Sequence, residues 1–570
     1  MNDNRNMLLA IVLSALVLIG WSFLSDQFFP TAGPQTQQVE DGKVKPAPAP
    51  QAAPAADSSQ AVRPRDQVLA QSPRIRIETP RLEGSINLKG AQFDDLVLVR
   101  ERETIGKNSP PVRLLSPTGA RDSYVAQFGW AGQGVAAPDA NSVWTASAPV
   151  LQPGRPVTLS WSNQTGQRFE LIVSVDDGYL FTIRQRVANA SPNAVALQAY
   201  GLASRSIKSP DVDGWTMHVG PMSVLDDVAD YEVNYSTLDE NTAGVTRNAA
   251  SGWVGFTDKY WLTAISPANR SNFAASLKRS PSGAYQADYL GTQFVVAPGE
   301  AVSGETRLFA GAKDYALLER YDNSGVPGLS QAIDWGWFEW FMIPIFKLLL
   351  WLFKAIGNFG LAIIALTIIV RLIMFPIADK QFRSMAGMRK VQPKMKALQE
   401  RYKDDKPRLQ QEMLKLYQEE KINPAAGCLP ILLQIPIFYA LYKVLMVSVE
   451  MRHQPFYLWI KDLSAPDPLT PVNLFGLLPF TPPGFLAIGV LPILLGITMW
   501  IQFKLNPQQM DPVQQQIFSF MPWILMFVMA PFAAGLQLYW VVSNLLTIAQ
   551  QTWLYKRYDM HLSDTHPVKT

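Results

Sequence analysis

One apolar run, residues 359–375 (FGLAIIALTIIVRLIMF), constrains the fold of this chain more than any other stretch. Eleven of its seventeen residues are Leu, Ile, Val or Phe, and Arg371 interrupts them. On a membrane-insertion scale each of those apolar residues contributes roughly −0.3 to −0.6 kcal/mol, whereas a central arginine costs roughly 2.5 to 3.5 kcal/mol. The sum favours insertion, so the run predicts a transmembrane helix that carries a charge. An ionisable residue inside such a helix is by default a candidate for a functional site.

Arg371 is predicted to lie in the half of the bilayer nearest the charged segment that follows. Asp379 and Lys380 end the apolar run eight residues later, a rise of roughly 12 Å along a helix. Two interpretations stay open, because an arginine can extend its side chain to the headgroups or line a polar cavity. Thr367 lies one turn earlier on the same face and favours the cavity.

Composition divides the 570-residue chain into a soluble and a membrane part. Apart from the first thirty residues, apolar runs dominate only after about residue 329. The net charge of +3 is too small to indicate a nucleic-acid-binding protein, so we expect no sequence-specific nucleic-acid partner. The single cysteine, Cys428, excludes a disulfide framework.

The amino-terminal part predicts an anchor followed by a linker. Residues 7–24 contain no charge and lie between Arg5 and Asp26, which favours an uncleaved transmembrane anchor within residues 1–29 whose amino terminus is cytoplasmic. Residues 30–64 are rich in Pro, Ala, Gln and Ser, a composition typical of an extended linker.

Residues 65–328 predict one large all-β domain. Short runs with period-two alternation, such as RIRIE at residues 74–78 and RFELIVSV at residues 168–175, are separated by turn signals and indicate an antiparallel sandwich. His218 is the only histidine of this domain, and Asp211 begins a loop that lacks the other ligands of a calcium site. We therefore expect no catalytic residue, cofactor or metal site, and no enzyme activity.

The remaining sequence predicts a helical membrane core, which makes six transmembrane helices with the anchor, five of them forming the core. Residues 379–421 hold twelve Lys or Arg against seven Asp or Glu, so the positive-inside rule places this helical hairpin in the cytoplasm. Both termini are then cytoplasmic and the β domain lies on the other side. The predicted segments are an interfacial amphipathic helix (329–355), transmembrane helix 2 (356–378), the hairpin (379–421), transmembrane helix 3 (422–447), a periplasmic loop (448–484), transmembrane helix 4 (485–504), a cytoplasmic loop (505–516), transmembrane helices 5 (517–534) and 6 (535–555), and a cytoplasmic tail (556–570).

Polar residues form a stripe along the last predicted helix. Intervals of three and four place them on one helical face, and Ser543 and Gln550 widen it. Other helices contribute Gln434, Thr498 and Gln502. One such residue is usually explained by hydrogen bonding between helices; a whole stripe together with Arg371 predicts a water-accessible groove. The stripe consists of Gln537, Trp540, Asn544, Thr547 and Gln551.

Three segments resemble the YidC/Oxa/Alb family of membrane protein insertases, in its Gram-negative form, and the likeness covers nearly the whole chain. They are INPAAGCLPILLQIPIFYALYKVL at residues 422–445, PFYLWIKDLSAPDP at residues 455–468 and GLQLYWVVSNLLTIAQQ at residues 535–551. The resemblance implies a β-supersandwich similar to sugar mutarotases, in which a lone histidine leaves no epimerase activity. It also implies a substrate groove, for which we expect Arg371, Thr367, Gln434, Gln502, Tyr539, Trp540, Asn544 and Thr547.

The chain departs from the family pattern at three places. Trp540 occupies the position of a substrate-contacting tyrosine, so aromatic contact is kept and a hydroxyl is lost, although Tyr539 lies beside it. Lys443 and the Pro/Phe-rich stretch 468–484 are also unexpected. The sequence gives no physical reason for either.

The predicted function is insertion and assisted folding of nascent inner-membrane proteins without nucleotide hydrolysis. The expected partners are nascent membrane proteins, the Sec translocon with its accessory subunits, the ribosome and the lipid bilayer. Two other functions stay open: a solute transporter or channel that uses the same polar stripe, and a periplasmic binding module on a passive anchor.

Overall fold

The computed structural model describes residues 63–557 except for residues 133, 212–216, 269–271, 337, 403–404, 421–428, 476, 479, 481–486 and 506–511. The predicted anchor, nearly all of the linker and most of the cytoplasmic tail lie outside the described residues. The same holds for Cys428, for residues 212–216 of the loop that begins at Asp211, and for the side chain of Gln434.

The β domain consists of two packed sheets, which confirms the predicted sandwich. The eleven-stranded sheet has the order β14-β17-β18-β11-β5-β3-β2-β1-β7, with β4 beside β3 and β19 beside β11; the nine-stranded sheet has the order β13-β12-β15-β16-β20-β10-β9-β8-β6. The strands are β1 Arg74–Glu78, β2 Leu82–Asn87, β3 Gln92–Arg102, β4 Pro111–Leu115, β5 Tyr124–Ala131, β6 Thr145–Ala146, β7 Val150–Leu151, β8 Val157–Ser162, β9 Gln167–Val175, β10 Leu180–Asn189, β11 Val195–Arg205, β12 Gly220–Leu225, β13 Val228–Asp230, β14 Val245–Ala249, β15 Gly252–Thr257, β16 Trp261–Pro267, β17 Phe273–Arg279, β18 Tyr285–Gly291, β19 Phe294–Val296 and β20 Ala301–Ala312.

Alternating side chains explain why the two sheets face each other. In β1, Ile75 and Ile77 are buried while the residues between and beside them are not, because successive side chains of a strand point to opposite faces. Phe93 of the first sheet meets Phe181 of the second with ring centroids 5.5 Å apart in an edge-to-face arrangement. Among the described strands, only β1 and β7 pair in parallel.

Some α-helices lie within this domain, and the others come after it in the sequence. A 3₁₀ turn, Leu329–Ala332, precedes the helical part. The helices are α1 Arg65–Leu69, α2 Tyr235–Glu240, α3 Tyr315–Asn323, α4 Glu339–Ile356, α5 Phe359–Arg401, α6 Lys406–Glu419, α7 Leu429–Val447, α8 Val490–Leu505, α9 Pro512–Met529 and α10 Ala534–Arg557.

The predicted interfacial helix at residues 329–355 is shorter in the structure. Helix α4 begins at Glu339, ten residues later, because Gly336 adopts a left-handed conformation with φ of 71°. Its buried face carries Met342, Phe346, Leu349 and Leu352, whereas Trp340 and Trp351 are exposed. This helix is therefore amphipathic, and it packs against both α5 and α7.

Helix α5 does not end where the apolar run ends. It continues unbroken for 43 residues from the apolar run into the basic segment, and only at Tyr402 does the helix stop. Asp405 then accepts a hydrogen bond from the amide of Arg408 and begins α6. The predicted second transmembrane helix and the first arm of the predicted hairpin are thus one helix.

Among the described helices, residues Phe359–Lys380 form the one stretch that is long and apolar enough to cross a bilayer. Shorter apolar helices occur at Ile435–Val447, Val490–Leu505 and Ser519–Met529. The arrangement with six spans stays a prediction.

The β domain contacts the end of the helical bundle beyond α7. Arg452 donates hydrogen bonds of 2.7 and 3.2 Å to the carbonyls of Arg102 and Glu103. The backbone amide of Tyr315 donates to the carboxylate of Glu450 at 3.1 Å. Hydrogen bonds to charged groups are stronger than neutral ones, so these contacts fix the two parts against each other.

Two lysines lie within the same junction. The ammonium of Lys443, in α7, is fully buried and lies 3.3 Å from the carboxylate of Asp334, in the segment before α4. Lys313 donates to Thr257 at 3.0 Å and to the carbonyl of Ala332 at 3.3 Å. Burial lowers the pKa of Lys313 to about 8 because a desolvated ammonium is disfavoured.

Candidate functional site

Helix α10 is the central element of the candidate site. It packs against α5, α7 and α8. Its first residues are held by hydrogen bonds from the amides of Ala534 and Gly535 to the carbonyls of Ala465 and Leu463. Near its other end, the hydroxyl of Tyr555 donates to the carbonyl of Leu505 at 2.5 Å. Since both ends are anchored, the polar stripe of α10 has a defined rotation towards α5 and α8.

Arg371 binds directly to this helix. Its guanidinium donates to the hydroxyl of Ser543 at 2.5 Å and to the carbonyl of the same residue at 3.3 Å. The hydroxyl of Thr547 donates to that carbonyl as well, at 2.7 Å. The phenol of Tyr539 lies within electrostatic range of the guanidinium. The predicted association of Arg371 with the last helix is thus present, with Ser543 as its hydrogen-bonding partner.

Thr367 lies one turn from Arg371, but its hydroxyl is used within its own helix. The side chain is buried and donates to the carbonyl of Ile363 at 2.7 Å. This bond to the residue four positions earlier is a common arrangement for threonine in apolar helices. Thr367 retains acceptor capacity only, so its predicted contact with substrate stays a proposal.

Asn544 forms a second polar contact, between α10 and α8. Its amide donates to the hydroxyl of Thr498 at 3.1 Å, and Thr498 in turn donates to the carbonyl of Leu494 at 2.8 Å. Both side chains are buried. This is hydrogen bonding between helices, the simpler of the two explanations that the sequence leaves open.

Gln537 supports the turn that precedes α10. It is fully buried, and its amide donates to the carbonyls of Met529 and Phe532 at 2.9 and 2.8 Å. The carbonyls of a helix end otherwise lack partners. Gln537 is therefore a structural member of the stripe.

The remaining predicted residues lie around these contacts. Trp540 is partly exposed and packs on Phe438 of α7, with ring centroids 4.6 Å apart. Gln502 is partly exposed on α8, one turn beyond Thr498. The structure thus brings Arg371 to the last helix and links that helix to α8 through Asn544.

Arg371 lies at the border between the bundle and its apolar outer surface. The adjacent side chains Leu372 and Ile373 are 66% and 69% exposed. Beyond Arg371, Phe375 packs on Trp553, and Asp379 lies 3.7 Å from Arg557. These contacts join α5 and α10 on the side of the basic segment, so Arg371 is half-buried between a joined end and an exposed apolar face.

Ser543 is the functional candidate that the sequence indicated most weakly. It lies beside the stripe and was expected only to widen it. One residue along a helix is a rotation of about 100°, and the side chain of Arg371 is long enough to reach a neighbouring position. A hydroxyl at the edge of a polar stripe facing an arginine is the signal that could have identified it.

Comparisons with known proteins agree over nearly the whole chain. The family model described as 60Kd inner membrane protein matches residues 351–561, and the model described as YidC periplasmic domain matches residues 74–348. The membrane protein insertase YidC of Zymomonas mobilis is 48% identical over 98% of this chain and 96% of its own length. The protein of the same name from Rhizobium meliloti is 42% identical over 98% of this chain and 96% of its own length.

Solved structures give weaker likenesses. A crystal structure described as active YidC insertase, with the first transmembrane domain resolved, is 18% identical and covers 84% of this chain and 92% of its own, with a TM-score of 0.36. A galactose mutarotase related enzyme from Lactobacillus acidophilus is 9% identical and covers 42% of this chain and 97% of its own, with a TM-score of 0.29. Because these scores are low, the assignment is based on the sequence matches. By those matches, this chain belongs to the YidC family of membrane protein insertases.

Proposed function

We propose that the chain inserts nascent membrane proteins through a polar groove centred on Arg371, without hydrolysing a nucleotide. One observation is the main support for this groove: the guanidinium of Arg371 donates hydrogen bonds to neutral groups of Ser543. Within the part of the chain that the structure describes, no carboxylate lies within ion-pair distance of Arg371. A buried cation without a counter-ion is costly, so an acidic or polar segment of a substrate stabilises it.

The substrate supplies the driving force in this mechanism. Moving an apolar helix from water into lipid yields about 25 cal/mol for each Å² of apolar surface buried. The obstacle is the polar flank, which must cross the same bilayer. Arg371 exchanges Ser543 for that flank and holds it, while the apolar helix leaves along the exposed side of α5 at Leu372 and Ile373. When the flank has passed, Ser543 binds the guanidinium again.

The other proposed groove residues contribute polarity and an aromatic surface. Thr547, Gln502 and Asn544 offer amides and hydroxyls beside the path of the flank, together with Thr367 and Gln434. Trp540 presents a ring to apolar substrate segments, with Tyr539 beside it. Without a hydroxyl, Trp540 supplies packing and a single N–H donor.

We further propose six transmembrane helices with both termini in the cytoplasm and the β domain in the periplasm. The excess of positive charge in residues 379–421 supports this orientation. The same hairpin would receive nascent chains or contact the ribosome, and other surfaces would contact the Sec translocon. Homology to insertases over nearly the full length removes the reason for preferring a solute transporter or channel.

Substitution of Arg371 tests the electrostatic part of the proposal. We expect Arg371→Ala to slow insertion of a single-span substrate with an acidic flank by roughly tenfold or more, because a charge-assisted hydrogen bond contributes about 1.5–3 kcal/mol. Arg371→Lys keeps the charge and should retain most of the activity. Ser543→Ala removes the hydroxyl but keeps the backbone carbonyl as an acceptor, and it should leave insertion of the same substrate close to normal. The measurement is protease protection of the substrate in proteoliposomes.

Lys556→Gln is the matched control, since it removes an exposed cation from the carboxyl end of α10. It should insert both acidic and neutral flanks at the normal rate. If Arg371→Ala also inserted the acidic substrate at that rate, the proposed role of the guanidinium would be wrong. An equal loss for acidic and neutral flanks would indicate a folding defect instead.

A further inference from the structure

The stretch formed by residues 468–475, 477, 478 and 480, which precedes α8, presents an apolar surface that the other described residues leave exposed. Two hydrogen bonds lie within it: the amide of Phe475 donates to the carbonyl of Thr470 at 3.0 Å, and that of Leu478 to the carbonyl of Asn473 at 3.1 Å. The stretch is therefore folded on itself, yet its large apolar side chains point outward. The exposed residues are Val472, Leu474, Phe475, Leu477, Leu478 and Phe480, with exposed fractions from 41% to 82%.

The base of this loop is fixed to the first turn of α8. The buried carboxylate of Asp467 accepts hydrogen bonds from the amide of Leu491 at 2.7 Å, the amide of Leu469 at 3.0 Å and the indole of Trp459 at 2.9 Å. A carboxylate at the beginning of a helix is favoured by the unpaired amides there. The exposed apolar residues are thus held near the point where α8 begins.

That end of α8 is opposite the basic hairpin. The other end, at Leu505, is bonded to Tyr555 of α10, and Arg557 of α10 pairs with Asp379 of α5. Asp379 directly precedes the basic arm of α5. In the orientation proposed above, on which this inference rests, the loop lies at the bilayer surface on the side away from the hairpin.

The composition of the loop indicates what covers its exposed apolar side chains. The sequence contains no charged residue from Pro468 to Phe503. Protein interfaces surround an apolar centre with a polar, often charged rim, and this surface has no charges to form one. It also continues into the exposed apolar face of α8, formed by Leu494, Ile497 and Ile501, which faces lipid in the proposed six-span arrangement.

We propose that this loop inserts its apolar side chains into the lipid leaflet opposite the basic hairpin. Amphipathic elements of this kind enter the boundary between headgroups and acyl chains to a depth of roughly 5–10 Å. The loop would anchor the periplasmic end of α8 beside the bundle. It would also disturb the packing of the lipid at the place where an inserted helix has to settle.

A fluorescent label tests this in nanodiscs that hold one copy of the full chain. Cys428→Ser removes the single cysteine, and Leu477→Cys or Leu474→Cys carries an NBD group at one of two independent loop positions. The control is Val295→Cys, since Val295 is an aliphatic residue 61% exposed on β19. Each variant is measured in phosphatidylcholine discs with and without a doxyl-labelled phosphatidylcholine quencher.

We expect the quencher to lower NBD emission at positions 477 and 474 by about twofold or more, as for groups at the acyl boundary, and to leave position 295 unchanged. Unquenched emission at both loop positions would overturn the proposal. A second result would also overturn the proposal: protection of the loop label from a water-soluble quencher in discs that hold two copies of the chain but not in discs that hold one. The apolar surface would then be covered by a second copy of the chain.

Discussion

Arg371 of α5 and Lys443 of α7 have different partners, and this separates their roles. Arg371 donates to the hydroxyl and the carbonyl of Ser543, both neutral groups. Lys443 is fully buried against the carboxylate of Asp334. A cation bound to neutral groups is available to an incoming anion, whereas an ion pair inside the protein is part of its structure. Lys443, which the sequence left unexplained, therefore belongs to the junction between the β domain and the bundle.

Removal of either partner of this pair should destabilise the protein unequally. Asp334→Asn removes the carboxylate that lies 3.3 Å from the buried ammonium of Lys443, which costs roughly 3 kcal/mol or more. Lys443→Met leaves a carboxylate that is 17% exposed and retains access to water, so its cost should be about 1 kcal/mol. Thermal unfolding of the purified protein in detergent measures both changes.

The double variant supplies the control for this comparison. Asp334→Asn combined with Lys443→Met should be more stable than Asp334→Asn alone, because the buried positive charge is gone. Additive losses in the double variant would show that the two side chains do not interact.

At the scale of single residues, the sequence predicted which helix carries the partner of Arg371 but not which residue. The stripe on α10 placed polar groups on the correct element. Ser543 became the partner because the side chains of Arg371 and Ser543 meet across the helix contact, which depends on helix rotation and not on spacing along the sequence. In the same way, Asp334 and Lys443 are separated by more than a hundred residues, and only the fold brings them together.

At the scale of elements, the short segment after α7 joins the bundle to the β domain through a titratable group. Glu450 accepts hydrogen bonds from the amide of Tyr315 and from the hydroxyl of Ser448, at 3.1 and 3.0 Å. Burial raises its pKa to about 7, and the nearby charge of Asp314 acts in the same direction. Lys313, across the junction, has its pKa lowered to about 8.

These shifts predict that the junction is least stable between pH 7 and 8. The native protein holds a proton on Glu450 that the unfolded chain has released above pH 4.5, so the free energy of unfolding should fall as pH rises from about 4.5 to 7. Lys313 has a pKa of 10.5 when exposed and about 8 in the fold, so the free energy of unfolding should rise with pH between these values. Melting temperatures measured from pH 5 to 9 test the prediction.

Glu450→Gln should abolish the fall in melting temperature between pH 5 and 7 and keep the rise above pH 8. Glu300→Gln, at an exposed position of the β domain, should leave both parts unchanged. If the melting temperature of Glu450→Gln still fell between pH 5 and 7, a group other than Glu450 would be responsible for that decrease.

The elements themselves were predictable to different degrees. Alternation along β1 and β9 indicated strands and a sandwich, because it reflects one buried and one exposed face. The order of strands within each sheet depends on contacts between residues that are distant in sequence, and the alternation of apolar and polar residues does not predict those contacts. The unbroken length of α5 was also missed, since a change from apolar to charged residues alters the surroundings of a helix without ending it.

At the scale of the whole molecule, the β domain is joined to the bundle by contacts that truncation can separate. Deletion of residues 65–327 removes the β-domain partners of Arg452 and Glu450 but keeps Asp334 in the sequence with Lys443. We expect this variant to support growth of cells depleted of their own insertase, with a lower melting temperature than the full chain. The deletion removes no residue of α5 or α10, so the proposed groove should remain.

A slightly longer deletion is the matched comparison. Removing residues 65–338 also removes Asp334, the carboxylate 3.3 Å from the ammonium of Lys443, so accumulation of the protein in the membrane should fall well below that of the shorter deletion. Adding Lys443→Met to the longer deletion should restore it. Failure of the shorter deletion to support growth, despite normal amounts in the membrane, would place an essential function in the β domain.

The 43-residue length of α5 has a mechanical consequence. At 1.5 Å per residue the helix is roughly 65 Å long, and it carries Arg371 near one end and the basic arm at the other. The helix is continuous between the two, although Pro376 and Pro393 each remove one backbone hydrogen bond from it. Docking of a newly made polypeptide on the arm is therefore expected to shift the guanidinium relative to Ser543, by an amount that bending at Pro376 reduces, so that arrival of cargo and opening of its route become a single movement.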